Sequence, residues 1–127
     1  MAIYTKTGDT GTTATFGGNR VQKYDPQIEA CGALDEATSF LGLVIAAIKK
    51  EQDIKLLSDI QEDLYMVMGY IAGAPMQEKS LIDTIKNFEI IIDTLEKQLP
   101  KLTRFILPQG TEITSRIHVA RAITRSA

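Results

Sequence analysis

From Asp25 onward the apolar residues of this chain recur at steps of three and four, and that period calls for helices. Asp25-Pro26 is a start signal, an N-capping aspartate followed by proline at the first helical position. The first helix is expected from about Pro26 to Lys50, with Leu34, Ala37, Leu41, Val44 and Ile48 as its core face. A second is expected from about Asp53 to Ala72, with Ile54, Leu57, Ile60, Leu64, Val67 and Ile71 on one side and Gly73-Ala74-Pro75 as its stop. A third runs from about Glu78 to Leu99, where Leu81, Ile85, Phe88, Ile92, Leu95 and Leu99 read as a bundle seam and Pro100 ends it. After the apolar connector Phe105-Ile106-Leu107-Pro108-Gln109-Gly110, a last helix starts near Thr111, capped by Thr111 or Thr114. Its core stripe is Ile113, Ile117, Ala120, Thr124 and Ala127. The expected fold is all-α, an up-and-down bundle of about four helices behind a short extended N-terminal loop. The 127 residues suit a single domain spanning 1–127.

The segment before Asp25 cannot join that core. Tyr4-Thr5-Lys6-Thr7-Gly8-Asp9-Thr10-Gly11-Thr12-Thr13 is almost entirely polar or glycine, so it presents backbone. Glycine admits positive φ and close approach of a ligand. Successive amides in such a turn form an anion-binding concavity. The threonine hydroxyls, Lys6 and Asp9 add donors, a cation and a carboxylate able to hold a divalent ion through water. These are means to grip a polyphosphate, although the spacing is not that of a P-loop. The alternative is a flexible polar arm. Ile3-Tyr4-Thr5 reads as a short strand and Gly17-Gly18-Asn19-Arg20 as a turn.

Bulk properties narrow the partners. A formal charge of −2 with no polybasic block argues against nucleic acid and anionic membrane. Cys31 stands alone, which excludes an intrachain disulfide and a cysteine zinc site. Neither a signal-like N-terminus nor a long apolar run is present, so a cytoplasmic protein is expected.

Two polar stripes break the helical pattern. In the first helix Ile28, Gly32, Asp35, Ser39 and Gly42 share a side, where small residues admit another helix or a ligand; the alternative is a solvated face with tolerated glycines. In the last helix Thr114, His118, Arg121 and Arg125 line up, and the two arginines are either phosphate ligands or solvated cations.

Five segments, read together, resemble the PduO-type ATP:cob(I)alamin adenosyltransferases. They are Tyr4 to Thr13, then Gly18-Asn19-Arg20-Val21-Gln22-Lys23, then Glu29-Ala30-Cys31-Gly32-Ala33-Leu34-Asp35-Glu36, then Phe105 to Gly110, then His118-Val119-Ala120-Arg121. They follow the family's order at similar intervals and cover the whole chain. The resemblance implies a helical-bundle homotrimer with active sites between neighbouring subunits. Its reaction moves the 5′-deoxyadenosyl group of ATP, which comes with Mg²⁺, to the cobalt of cob(I)alamin, leaving triphosphate. The reduced corrinoid is itself the nucleophile, so no catalytic Ser, Cys or His is needed.

The same resemblance assigns roles. Thr5, Lys6, Gly8, Asp9, Gly11, Thr12 and Thr13 correspond to the ATP loop, with Lys23 a second cation on the triphosphate. Arg125 matches a phosphate-binding arginine. Asp35 and Arg121 match an ion pair between subunits at the active site. Phe105 matches an aromatic against the corrin's lower face that helps keep the benzimidazole off cobalt and so eases reduction to Co(I). No residue is singled out as a metal ligand; Glu29 and Glu36 are either surface charge or water-mediated ligands.

The sequence departs from the family at several points. Pro108-Gln109-Gly110 replaces Pro-Gly-Gly, and Gln is less free than Gly at positive φ. Asp35-Glu36-Ala37-Thr38 replaces Asp-Glu-Leu-Asn, and Ser126 follows Arg125 where an arginine is usual. The family continues past the equivalent of Ala127 with a fifth helix, so the sequence is expected to be C-terminally incomplete. A non-catalytic corrinoid- or nucleotide-binding bundle is therefore the alternative function. His118 reads as a surface or interface residue rather than a general base or metal ligand, Cys31 as a small packed residue rather than a nucleophile, and Met66, Met68 and Met76 as packing rather than corrinoid contacts.

Overall fold

The computed structural model describes residues 3–75 and 78–127, which leaves Met76 outside the described residues. It contains a hairpin of β1 (Thr12–Ala14) and β2 (Arg20–Gln22), then α1 (Pro26–Ile45), α2 (Glu51–Ile71), α3 (Glu78–Glu96) and α4 (Glu112–Ser126). No helix among the described residues is long and apolar enough to cross a membrane.

α1 is the central element. Asp25 caps it as expected, its Oδ1 accepting from the Gln27 amide at 2.9 Å, with Pro26 in the first turn. Leu34, Ala37, Leu41 and Val44 are buried, joined by Ala120 of α4. Phe40, Ile48, Leu57, Ile60 and Leu64 pack half-buried around Leu41, Val44 and Ala120. α1 stops at Ile45, short of the expected Lys50. The chain must reverse through residues 46–50 for α2 to lie along α1, and Lys50, in extended backbone, becomes the N-cap position of α2. Neither Gly nor Pro marks that reversal, and Ile48 continued the apolar period because it still touches the core.

α1 and α2 run antiparallel, held by side chains that reach across. Gln27 Nε2 donates to the Ile71 carbonyl near one end. Cys31 Sγ lies 3.7 Å from the Met68 carbonyl, and Gln61 Nε2 donates to the Thr38 carbonyl at 2.8 Å. Cys31 is thus a packed residue, as expected. A Cβ on Gly42 would lie 3.4 Å from Gln61 Nε2, so one glycine of the small-residue stripe admits a crossing side chain.

α4 begins where expected, with Thr111 Oγ1 accepting from the Thr114 amide at 3.2 Å. Gln109 keeps negative φ, and the positive value falls on Gly110 (149°). Arg116 NH1 donates to the Leu43 carbonyl at 3.4 Å and Ala120 enters the core, which sets α4 against α1. The expected core stripe of α4 is only partly realised: Ile113, Ile117 and Ala127 are exposed, while Ala120 is buried.

α3 departs most from expectation. Its inward residues are Leu81, Thr84, Phe88 and Ile91, all half-buried, whereas Ile85, Ile92, Leu95 and Leu99 are exposed. The helix is turned from the expected seam, and a groove of about 970 Å³ separates it from α2. Leu56, Met66, Phe88 and Ile91 line the groove beside the acidic Asp59, Glu62 and Asp63. α3 ends at Glu96, before the expected Leu99. Tight turns follow (Gln98 N–H to Leu95, 3.0 Å; Leu99 N–H to Glu96, 3.3 Å), because Pro100 disfavours helical backbone at Leu99.

Burial raises the pKa of Asp63 above the ordinary aspartate value, with further contributions from Asp59 and Glu62. A raised carboxylate pKa means the charged form is penalised by folding. The penalty is present above the folded pKa and vanishes as pH falls below the unfolded one. Asp63→Asn is therefore expected to raise the melting temperature by about 1–2 °C at pH 7 and to change nothing at pH 3. Thermal scans at the two pH values check this.

The N-terminal hairpin corrects the expectation of a strand at Ile3-Tyr4-Thr5, which is irregular. Pairing instead joins Thr12 to Gln22, Thr13 to Val21 and Ala14 to Arg20, antiparallel. The reason lies in the turn: Gly17 and Gly18 take φ of 91° and 87°, bringing Arg20–Gln22 back onto Thr12–Ala14. Ile3–Thr5 has no such partner among the described residues. The hairpin is fastened to the bundle by the Phe16 amide, which donates to the Ala72 carbonyl at 2.8 Å. Gly73, at φ 101°, makes room: a Cβ there would sit 3.3 Å from the Phe16 carbonyl.

Candidate nucleotide-binding site

The loop before β1 is a run of tight turns. The Asp9 amide donates to the Lys6 carbonyl at 3.4 Å and the Gly11 amide to the Gly8 carbonyl at 3.2 Å. Lys6 sits at φ 58°, left-handed backbone that costs a non-glycine residue about 1–2 kcal/mol. Gly11, at 85°, carries the second left-handed position without that cost. Thr5 and Thr7 share a hydroxyl hydrogen bond of 2.8 Å. The amides of Lys6, Gly8 and Thr10 have no backbone acceptor among the described residues, so they remain free to meet an anion.

β2 delivers cations to this loop. Lys23, just past the strand, donates its amide to the Gly11 carbonyl at 3.0 Å. Its side chain lies over Gly8: a Cβ there would come within 3.2 Å of Lys23 Cε, 3.3 Å of Lys23 Nζ and 3.2 Å of the Thr12 carbonyl. Gly8 is glycine for this proximity, since its φ is not positive. Arg20 reaches the loop too, donating to the Thr7 carbonyl at 2.7 Å and to Thr12 Oγ1. Lys6 Nζ stands 5.6 Å from the Tyr4 ring centroid. The ion pairs found among the described residues, Lys50–Asp53, Lys55–Asp59 and Arg116–Glu112, leave Lys6, Arg20 and Lys23 without a carboxylate partner. Unneutralised cations beside free amides favour a polyanion.

The structure brings Lys6, Gly8, Asp9, Gly11, Thr12 and Lys23 together in one exposed or half-exposed cradle at the hairpin, with Thr5 joined to Thr7 at its edge and Thr13 on the strand face opposite Thr12. It does not bring the other expected residues into it. Asp35 is exposed on α1; its carbonyl accepts from Thr38 and Ser39 hydroxyls at 2.9 Å, and its carboxylate has no ion pair among the described residues. Arg121 and Arg125 are exposed on α4. Phe105 is fully exposed on the extended connector. His118 is half-buried, Met68 half-buried and Met66 exposed at the α2–α3 groove. That groove is lined by none of the cradle residues.

Two side chains have no role in the sequence reading: Arg20, expected in the turn but here the first residue of β2 and a tie to the loop, and Gln27, which ties α1 to the end of α2. Only the strand register could have revealed Arg20, because it places Arg20 diagonally from Thr12 on one face of the hairpin. Among the described residues no group of three or more His, Cys, Asp or Glu could hold a metal ion. Asp9 is the carboxylate within the loop, which suits a Mg²⁺ bound mainly through substrate phosphates.

A family model described as Cobalamin adenosyltransferase matches residues 3–127. The corrinoid adenosyltransferase PduO of Citrobacter freundii is 43% identical over 132 residues, which cover 100% of this chain and 39% of that protein. A corrinoid adenosyltransferase of Bacillus subtilis is 35% identical over 133 residues, covering 100% of this chain and 68% of the relative. Among solved structures, a variant PduO-type ATP:corrinoid adenosyltransferase from Lactobacillus reuteri, complexed with cobalamin and ATP, superposes with a TM-score of 0.86. It is 32% identical, and the match covers 98% of this chain and 71% of that one.

Proposed function

Because the chain belongs to the cobalamin adenosyltransferase family, we propose that it transfers the 5′-deoxyadenosyl group of ATP to the cobalt of cob(I)alamin. The observation that carries this reading is the cradle: Lys23 over Gly8, beside loop amides without backbone acceptors and three cations without carboxylate partners among the described residues. In the reaction the electron pair of Co(I) forms a bond to C5′ as the C5′–O bond breaks, and triphosphate leaves with the electrons of the broken bond. The chain's task is to orient the ribose and to stabilise the departing charge.

Thr5, Lys6, Gly8, Asp9, Gly11, Thr12, Thr13 and Lys23 bind the triphosphate, with Mg²⁺ arriving on the nucleotide beside Asp9. The chain acts as one domain within a homotrimer. Asp35, exposed and without an ion pair among the described residues, meets Arg121 of a neighbour, and exposed Phe105 packs against the corrin. The exposed Ile113, Ile117 and Val119 on α4 are apolar surface that such an assembly would cover. The cytoplasm supplies both ATP and the reducing conditions the corrinoid requires.

The test is a turnover assay: cob(I)alamin and ATP should give the visible spectrum of the adenosylated corrinoid. Ligand-induced stabilisation without that spectral change would leave a binding protein instead. Arg125→Ala is expected to raise the KM for ATP by about tenfold or more, the worth of a hydrogen bond between charged groups. An unchanged KM would remove Arg125 from the site.

A further inference from the structure

We propose that Gln61 is a positioning residue: by holding the Thr38 carbonyl it fixes where α1 stands along α2, and so where Asp35 is presented. The inference rests on the reading of Asp35 as part of the junction between subunits. Gln61 is half-buried on α2, and its Nε2 donates to the Thr38 carbonyl at 2.8 Å. It meets α1 beside Gly42, where a Cβ would lie 3.4 Å from that nitrogen. Thr38 carries the contact back along α1. Its hydroxyl donates to the Asp35 carbonyl at 2.9 Å, and the Ser39 hydroxyl donates to the same oxygen at 2.9 Å. Thr38 is thus bonded to α2 through its carbonyl and to the backbone of Asp35 through its side chain.

Apolar packing leaves the register of two helices open, because burial has no direction. Hydrogen bonds to fixed carbonyls do have one. Three such contacts among the described residues join these antiparallel helices: Gln27 to Ile71, Cys31 to Met68, and Gln61 to Thr38. The positions rise on α1 as they fall on α2, at nearly matched steps, so all three specify one register. Gln27 and Cys31 act near the start of α1, whereas Gln61 acts beside Asp35. A slip of one residue moves a helix by about 1.5 Å along its axis. A misplacement of about 1 Å at a reacting centre can cost about a hundredfold in rate. The hairpin adds to the effect. It runs into α1 at Asp25 and is bonded to α2 through the Phe16 amide and the Ala72 carbonyl, so its angle to Asp35 follows the alignment of the two helices.

Gln61→Met keeps the length of the side chain and removes the donor. In the whole chain, kcat at saturating ATP and cob(I)alamin should fall about tenfold, with the KM for ATP within about twofold of wild type. Thr38→Val, which removes the hydroxyl and keeps the carbonyl, should lower kcat in the same direction. In an Asp35→Asn background, Gln61→Met should cost less than about twofold, because the tie acts through Asp35. A lower melting temperature with unchanged kcat would make Gln61 a packing residue and overturn the proposal. A loss as large in the Asp35→Asn background as in wild type would overturn it too, as would a change confined to the KM for ATP. Hydrogen exchange over residues 35–42, severalfold faster in Gln61→Met, reads the tie without turnover, and unaltered exchange would count against it. Unchanged turnover in Asp35→Asn alone would overturn the reading of Asp35, and no adenosylated corrinoid from wild-type protein would overturn the transfer itself. In either case the exchange measurement would still decide whether Gln61 holds that turn of α1.

Discussion

Leu41→Ala is expected to destabilise the protein by about 2–5 kcal/mol, through lost burial plus the cavity left behind. Leu41 is buried at the point where α1 meets both α2 and α4, with Val44, Ala120, Leu57, Ile60 and Leu64 about it. Among the described residues few other side chains are buried. A loss of that size is a large share of the roughly 5–15 kcal/mol that holds a typical domain together. Urea unfolding followed by far-ultraviolet circular dichroism should show a clearly lower midpoint. The same truncation at exposed Ile92 is the control. Equal midpoints for Leu41→Ala and wild type would mean that α1 does not organise the bundle.

Gly8→Val should abolish useful ATP binding, raising the apparent Kd by about tenfold to a hundredfold, with the fold left intact. The first added carbon would already stand 3.2 Å from the Thr12 carbonyl and 3.3 Å from the Lys23 ammonium nitrogen. The backbone oxygen cannot yield, whereas the lysine tip can, so the lysine is displaced from the cradle. Branching at Cβ adds two methyl groups to a place with room for none. Displacement of the lysine removes a charge-assisted hydrogen bond, which accounts for the expected range. MgATP titration and thermal unfolding, run side by side, separate impaired binding from any loss of stability. Normal affinity in this variant would move the triphosphate away from Gly8.

Much of the helical part is legible because its determinants are local. Asp25-Pro26, Thr111 and Gly73-Ala74-Pro75 each act within a turn of their own position, and all mark element ends in the structure. The α1 stripe from Leu34 to Val44 is buried because α1 is covered on two sides, so its periodicity reports directly on burial. α3 lacks that cover, and its apolar residues at Ile85, Ile92 and Leu95 do not say which side faces α2. The reversal through residues 46–50 carries no breaker, so only the packing of α2 on α1 reveals it. The loop's composition predicts exposed backbone, yet the hairpin register that gathers Arg20, Lys23 and Gly8 depends on pairing between separated segments. Asp35, Arg121 and Phe105 are exposed in a single chain, which carries no intrachain geometry for their assigned roles.

The fastening of the hairpin reaches beyond the hairpin. The last carbonyls of α2 lack helical donors, and two of them are answered from outside: Ala72 by the Phe16 amide and Ile71 by Gln27. Fraying of that helix end and release of the N-terminal arm are consequently a single event. Any molecule that stiffens the arm also quietens the tail of α2, and damage to that tail loosens the arm without touching the ligand.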